Sequence, residues 1–197
     1  MIKSIMAGFM ITLAAAIYLT VGGALGAFMF SIGLLTILFF QFNLFTGKAG
    51  LLAQRQIKPL SLATIWIGNL IGCALCSLLL LATPLGSSLA VGASAITLTR
   101  ISNLWFENII LGVFCGILMY IGVKQYPTAP YVTILSVASF ILLGANHCVA
   151  DMAYMFLAAD TKILLPASAA LLFTTAGNVI GCNLIPYSQK QSASSSS

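Results

Sequence analysis

Charge is what this chain has least of. Eight basic and three acidic residues make up 6% of its 197 positions, against about a quarter in an ordinary soluble domain. A soluble protein of this size must cover its surface with polar groups. This chain cannot, because 60% of it is apolar and its mean hydropathy is +1.09. The scarcity excludes the soluble globular and disordered classes. The net charge of +5 does not point to nucleic acid either, because the basic residues are scattered singly and form no stripe along a phosphate backbone. Catalytic equipment is also missing. There is one histidine, and no Ser/His/Asp set, no His-Glu-x-x-His and no glycine-rich phosphate loop. The five cysteines form no framework: Cys73 and Cys76 make a Cys-x-x-Cys with no second ligand pair. Neither a metal site nor a cofactor is expected, and the chain does not read as an enzyme.

What is present is a set of long uncharged runs. They lie between Lys3 and Lys48, Lys58 and Arg100, Lys124 and Asp151, and Lys162 and Lys190. A helix crosses the hydrocarbon core in about 20 apolar residues. The first run is 44 residues long, enough for two crossings and a turn. The runs lack the alternation of a barrel strand, so the pattern predicts an all-α integral membrane protein. Six crossings fit: Ser4–Gly23, Gly26–Leu44, Ser61–Thr83, Asn103–Val123, Pro130–Phe156 and Ile163–Ile185. Met1 opens a first span rather than a removed signal peptide, since no small-residue cleavage site follows a short apolar segment. A turn at Gly22 and Gly23 divides the first two spans. Pro84–Thr99, weakly apolar and rich in Gly, Ser and Ala, reads as an external loop with room for a short helix. Residues 1–191 are expected to form a single transmembrane domain with halves of about 1–99 and 100–191. The Ser/Ala tail 192–197 reads as disordered.

Basic residues set the expected orientation. With the N-terminus inside, Lys3, Arg55, Lys58, Lys124 and Lys190 fall on the cytoplasmic side, and Arg100 and Lys162 outside. This predicts a multi-pass protein of the cell membrane with both termini cytoplasmic.

Two spans look broken. The second is apolar to Phe42 and then reads Asn43-Leu44-Phe45-Thr46-Gly47-Lys48-Ala49-Gly50, before a remnant Leu51-Leu52-Ala53. The fifth is apolar to Leu143 and then reads Gly144-Ala145-Asn146-His147-Cys148-Val149-Ala150-Asp151. A broken helix is tolerated in lipid only where it lines a cavity or is buried in protein. The third and sixth spans carry matching strings, Gly68-Asn69-Leu70-Ile71-Gly72-Cys73 and Gly177-Asn178-Val179-Ile180-Gly181-Cys182. Three spans plus three put the copies in opposite orientation. An inverted repeat of this kind carries its site at the broken helices.

The breaks hold the candidate residues. His147 reads either as a pore-centre hydrogen-bond or proton donor, suited by its near-neutral titration, or as a tie for the broken backbone. Asp151 is four residues on and shares a helix face with His147 if the helix is continuous. A carboxylate at the bilayer centre costs about 2.5–3.5 kcal/mol on insertion scales. Asp151 therefore needs a partner: His147, a backbone amide or a basic residue. Glu107 raises the same question seven residues after Arg100. Arg100 is either a loop cation or an attractor of anions at the outer mouth. Thr46 offers a hydroxyl to a solute or caps the remnant helix. Lys48 faces the solute path or snorkels to the surface. Asn69 and Asn178 are expected to bond the carbonyls freed by the breaks. Cys148 beside His147 is not a thiol–imidazole pair, because adjacent residues on a helix point apart.

These residues resemble the formate/nitrite transporter family. The second span reads Phe30-Ser31-Ile32-Gly33-Leu34, then Leu44-Phe45-Thr46-Gly47-Lys48, similar to the family's Phe-Ser-x-Gly-Leu and Leu-Phe-Thr loop. Phe140 followed by Gly144-x-Asn146-His147-x-x-Ala150-Asp151-Met152 is similar to its Phe … Gly-Phe/Tyr-Glu-His-Ser-x-Ala-Asn-Met. The Gly-Asn-x-Ile-Gly strings also match in kind, and Arg100 and Glu107 lie where the family shows a Lys and, in some members, a Glu. The likeness covers nearly the whole chain.

The resemblance implies a homopentamer of aquaporin-like protomers in the lipid bilayer, each with its own pore. It implies passage of small monovalent anions such as formate, nitrite, hydrosulfide, acetate or lactate, with or without a proton. By position, Phe30, Leu34, Leu44 and Phe140 form two apolar constrictions, with Phe45 beside Leu44. Thr46 and His147 meet the solute, Lys48 stands near their loop, and Arg100 replaces the anion-drawing Lys. Two departures stand out: the family Glu before the His is Asn146, and the family Asn four residues after it is Asp151. The competing readings are a neutral-solute pore of aquaporin type, which lacks its paired Asn-Pro-Ala here, and a non-transporting membrane subunit.

Overall fold

The computed structural model describes residues 1–195. They form helices α1 (Ile2–Val21), α2 (Gly23–Phe39), α3 (Phe45–Ala49), α4 (Pro59–Leu81), α5 (Gly86–Ser102), α6 (Trp105–Gln125), α7 (Pro130–Leu142), α8 (Cys148–Leu157) and α9 (Thr161–Ser195), and no strand is present among the described residues. Four stretches are long and apolar enough to cross a membrane: Ile2–Val21, Pro59–Leu81, Trp105–Gln125 and Thr161–Gln191. α2, α7 and α8 are apolar but shorter.

Polarity is arranged for lipid. Ile32, Leu78, Val91 and Leu165 are exposed, while Asn69, Asn108, His147 and Asn178 are buried. A soluble protein does the reverse. Without water to drive apolar faces together, helices in lipid associate by close packing of small residues. α1 runs along α4 and α6 along α9 in this way. A Cβ at Gly8 would land on the Asn69 carbonyl, and one at Gly177 on the Ile109 carbonyl. Only glycine lets these backbones touch.

The expected turn is where the chain reverses: Gly22 and Gly23 have φ of 69° and 56°. Both expected breaks are present, and each begins slightly earlier than the polar patch that marks it. α2 ends at Phe39 and α7 at Leu142, so the helices stop before the polar patches begin. Residues 40–44 and 143–147 are the non-helical links. The polar patches begin inside these links, at Asn43 and Gly144, and run on into the short helices α3 and α8. The remnant of the second span is Phe45–Ala49, and Leu51-Leu52-Ala53 lies in turns.

Pro84–Thr99 is not a loop. Most of it belongs to the 17-residue α5, which packs on α1, α4, α8 and α9. Leu89, Ala93 and Thr97 recur every fourth residue and form its buried face. Thr97 and Thr99 return their hydroxyls to the carbonyls of Ala93 and Ala95 at 2.9 and 3.0 Å, so the polar composition costs little inside a helix. At the C-terminus α9 continues to Ser195, whereas the sequence predicts an unstructured tail from residue 192. Residues 196 and 197 lie outside the described residues.

Candidate pore site

The two links are held open in the same manner. Asn69 on α4 accepts from the Phe45 amide at 2.8 Å through Oδ1 and donates through Nδ2 to the carbonyls of Ser4 and Asn43 at 2.8 and 2.9 Å. Asn178 on α9 accepts from the Cys148 amide at 2.8 Å and donates to the carbonyls of Gly112 and Asn146, both at 2.8 Å. Each side chain caps the first amide of a short helix and holds the link carbonyl before it. The same pair of strings carries a second match. Cys73 Sγ lies 3.5 Å from the Val149 carbonyl on α8, and Cys182 Sγ lies 3.5 Å from the Thr46 carbonyl on α3. Each cysteine thus reaches the short helix of the other half.

These anchors bring Thr46 and His147 together. Thr46 Oγ1 is 2.8 Å from His147 Nε2, and His147 Nδ1 accepts from the Ala150 amide at 3.1 Å. The second contact is an N-cap: His147 ends the link and its ring caps α8. Because Nδ1 accepts, the ring proton of neutral His147 sits on Nε2. Nε2–H therefore donates to Thr46, whose own hydroxyl proton remains available. Phe140 stacks on the imidazole with ring centroids 5.6 Å apart and 17° between planes. Phe30 meets Phe140 edge-on at 6.2 Å.

A cavity lies on each side of this cluster. One, of about 210 Å³, includes Phe30, Phe140 and His147 in its wall together with Tyr18, Arg100 and Asp151. The other, of about 230 Å³, is lined by Leu34, Leu44, Gln41, Lys48 and Val123. Phe30, Leu34, Leu44, Thr46, Phe140 and His147 are each at most 3% exposed, so an apolar plug with a Thr–His pair inside it separates the two spaces. Phe45 is buried in α3 but faces a different groove, beside Trp66 and Leu172.

Asp151 does not meet His147 through its side chain. The helix begins after His147, so the four-residue spacing brings only the Asp151 amide to the His147 carbonyl, at 2.8 Å. The carboxylate turns to α5 instead, where Oδ1 accepts from Arg100 Nε at 3.3 Å. Arg100 is thus not paired with Glu107. That carboxylate accepts from the Leu104 amide at 2.8 Å and caps α6, away from both cavities. Lys48 lines the second cavity. Asn146 donates to Asn108 Oδ1 at 2.8 Å, and Asn108 donates to the Arg100 carbonyl at 2.9 Å. Asn108, which fixes the backbone of Arg100, is a residue that sequence reading passed over. The signal was the one that marked Asn69: a buried amide in an apolar helix. No cluster of His, Cys, Asp or Glu among the described residues could hold a metal.

The family model described as formate/nitrite transporter matches residues 1–187. The chain belongs to this family. Its members are multi-pass membrane channels and transporters, not enzymes. Two solved structures are similar in fold. One is a pentameric formate channel with formate bound, with a TM-score of 0.81 and 22% identity, over 98% of this chain and 95% of that one. The other is an FNT family ion channel, with a TM-score of 0.78 and 21% identity, over 97% of this chain and 88% of that one. A comparison with curated proteins finds no match.

Proposed function

We propose that this protein is a channel for small monovalent weak-acid anions of the formate, nitrite or hydrosulfide type, with passage linked to a proton. The observation that carries the reading is the Thr46–His147 pair at 2.8 Å, sealed between two cavities by apolar side chains. In this reading the chain crosses the membrane six times as an inverted repeat, with 1–99 and 100–191 as its halves. The matched bonds of Asn69 and Asn178, and of Cys73 and Cys182, support it. The cavity with Arg100 is then the outer vestibule and the one with Lys48 the inner, with both termini cytoplasmic. Five protomers assemble, each with its own pore; the pentameric state of the similar formate channel supports this number.

The plug dictates the form in which a solute crosses. A bare charge between Phe30, Phe140, Leu34 and Leu44 is costly, and apolar constrictions also resist wetting. A weak acid escapes the penalty by taking up a proton as the dielectric falls. Thr46 and His147 then replace hydrogen bonds lost with the hydration shell. His147 serves as a hydrogen-bond donor rather than as the proton source. A second ring proton would sit on Nδ1 and face the Ala150 N–H, breaking the cap of α8.

Uptake of labelled formate and nitrite into proteoliposomes between pH 5 and 8 tests the reading. Uptake that rises with external acidity is the expected result. No uptake of any small monovalent anion in that range would refute the channel.

A further inference from the structure

The outer vestibule contains an ion pair that the passage described above does not use. Arg100 and Asp151 both line the 210 Å³ cavity whose wall includes Phe30, Phe140 and His147. The pair is loose. It joins Arg100 Nε to one carboxylate oxygen at 3.3 Å, longer than the roughly 2.7–2.9 Å of a tight charge-assisted bond. The other oxygen, Oδ2, is buried and makes no hydrogen bond of good geometry; only the Thr174 hydroxyl of α9, itself otherwise without a partner, stands near the carboxylate. An ionised carboxylate left half-satisfied at 8% side-chain exposure is poorly solvated, whereas a protonated one is not a charge at all.

We propose that Arg100 and Asp151 are a proton-gated anion receptor. While Asp151 is ionised it neutralises Arg100, and the vestibule offers an anion no net charge. A proton taken from outside water onto Oδ2 releases the guanidinium, which then binds the anion. Proton and anion therefore load together. As the solute moves toward Phe30 and Phe140, the O–H bond on Asp151 breaks and one forms on the solute oxygen. The neutral acid leaves, and the carboxylate recaptures Arg100. For a carboxylic solute this is a proton transfer from one carboxyl to another. The proposal rests on the channel reading and adds a selectivity device to it.

The other titratable groups around the pair are Tyr18 on α1, Cys115 on α6, His147 at the link, and Cys148 and Tyr154 on α8. Cys73 on α4 faces the Val149 carbonyl instead. Arg100 is the only cation against the carboxylate among the described residues.

Nitrate is the probe, because the anion of a strong acid cannot take the proton and so reports on the receptor alone. Its inhibition of labelled formate uptake, and its binding to the purified protein by calorimetry, are measured from pH 5.5 to 8. In the wild type, nitrate affinity falls with rising pH, approaching about tenfold per unit as one proton is co-bound. In Asp151→Asn it becomes independent of pH and at least tenfold tighter than wild type at pH 8. In the double variant Arg100→Gln/Asp151→Asn, which leaves no unpaired charge to unfold the protein, nitrate binding is lost. Equal pH dependence in Asp151→Asn and wild type overturns the proposal, as does wild-type nitrate binding in the double variant. A wild type that moves no anion defeats the channel reading instead, and calorimetry still decides the receptor.

Discussion

Thr46 and His147 are 101 residues apart in sequence and 2.8 Å apart in space. Each belongs to the start of a short helix behind a break, and each start is capped by an asparagine from a neighbouring long helix. The pair is thus fixed by backbone geometry rather than by a flexible loop. Rigid placement keeps two polar groups aimed at one point inside an apolar plug.

Their separate roles can be told apart by substitution. His147→Ala is expected to abolish formate uptake in proteoliposomes, since it removes the donor and the cap of α8 together. Thr46→Val keeps the shape and loses the hydroxyl. The solute is neutral at this point, and a hydrogen bond to a neutral group is worth about 0.5–1.5 kcal/mol, so uptake should fall by about two- to tenfold. Thr46→Ser should retain most of it. Equal rates for Thr46→Val and wild type would remove the hydroxyl from the solute path.

The asparagine anchors predict stability rather than rate. Asn69 and Asn178 are fully buried and each makes three hydrogen bonds to backbone. Truncation to Ala leaves three buried groups without partners, at about 1–3 kcal/mol each. Both variants should lose several kcal/mol, seen as a large drop in the thermal midpoint in detergent. Asn178→Asp should be comparably harmful, because it keeps the acceptor for Cys148 and loses both donors. A midpoint within a degree or two of wild type would count against the anchoring role.

These anchors show what could be read without coordinates. Polar residues interrupting apolar runs marked both breaks, and the paired Gly-Asn strings marked what supports them, because lipid offers a freed carbonyl no other partner. Two features stayed hidden for physical reasons. The small and hydroxylated residues of α5 look like a loop by the standards of water, yet Thr97 and Thr99 satisfy themselves on their own helix. The partner of Asp151 stayed open among His147, a backbone amide and a basic residue, because the four-residue rule holds only for a continuous helix. His147 is a cap, so the rule does not apply across it, and the true partner Arg100 is 51 residues away.

Glu107 separates position in sequence from position in space. It lies seven residues from Arg100 but bonds the Leu104 amide at 2.8 Å. Glu107→Gln should therefore cost at most about 1 kcal/mol, as for other cap changes, and leave formate uptake and its pH profile unchanged. A changed pH profile would mean that the carboxylate reaches the solute path after all.

Phe140 tests the plug itself. Its ring stacks on His147 and meets Phe30 edge-on, and it borders the outer cavity. Phe140→Ala removes the side chain that holds both neighbours, so the 210 Å³ space should extend toward the inner one. Two effects then compete. Loss of the ring frees His147 to tilt, which weakens the solute contact. The wider gap lowers the dewetting barrier, which speeds passage. The barrier should dominate, because His147 keeps its cap on Ala150 while the apolar contact is gone. Formate uptake should rise, and acetate and lactate should gain more than formate because size exclusion is relaxed. The measurement is the ratio of lactate to formate uptake in the same vesicles. An unchanged ratio would place the narrowest point elsewhere, at Leu34 and Leu44, where Leu44→Ala should then produce the same gain.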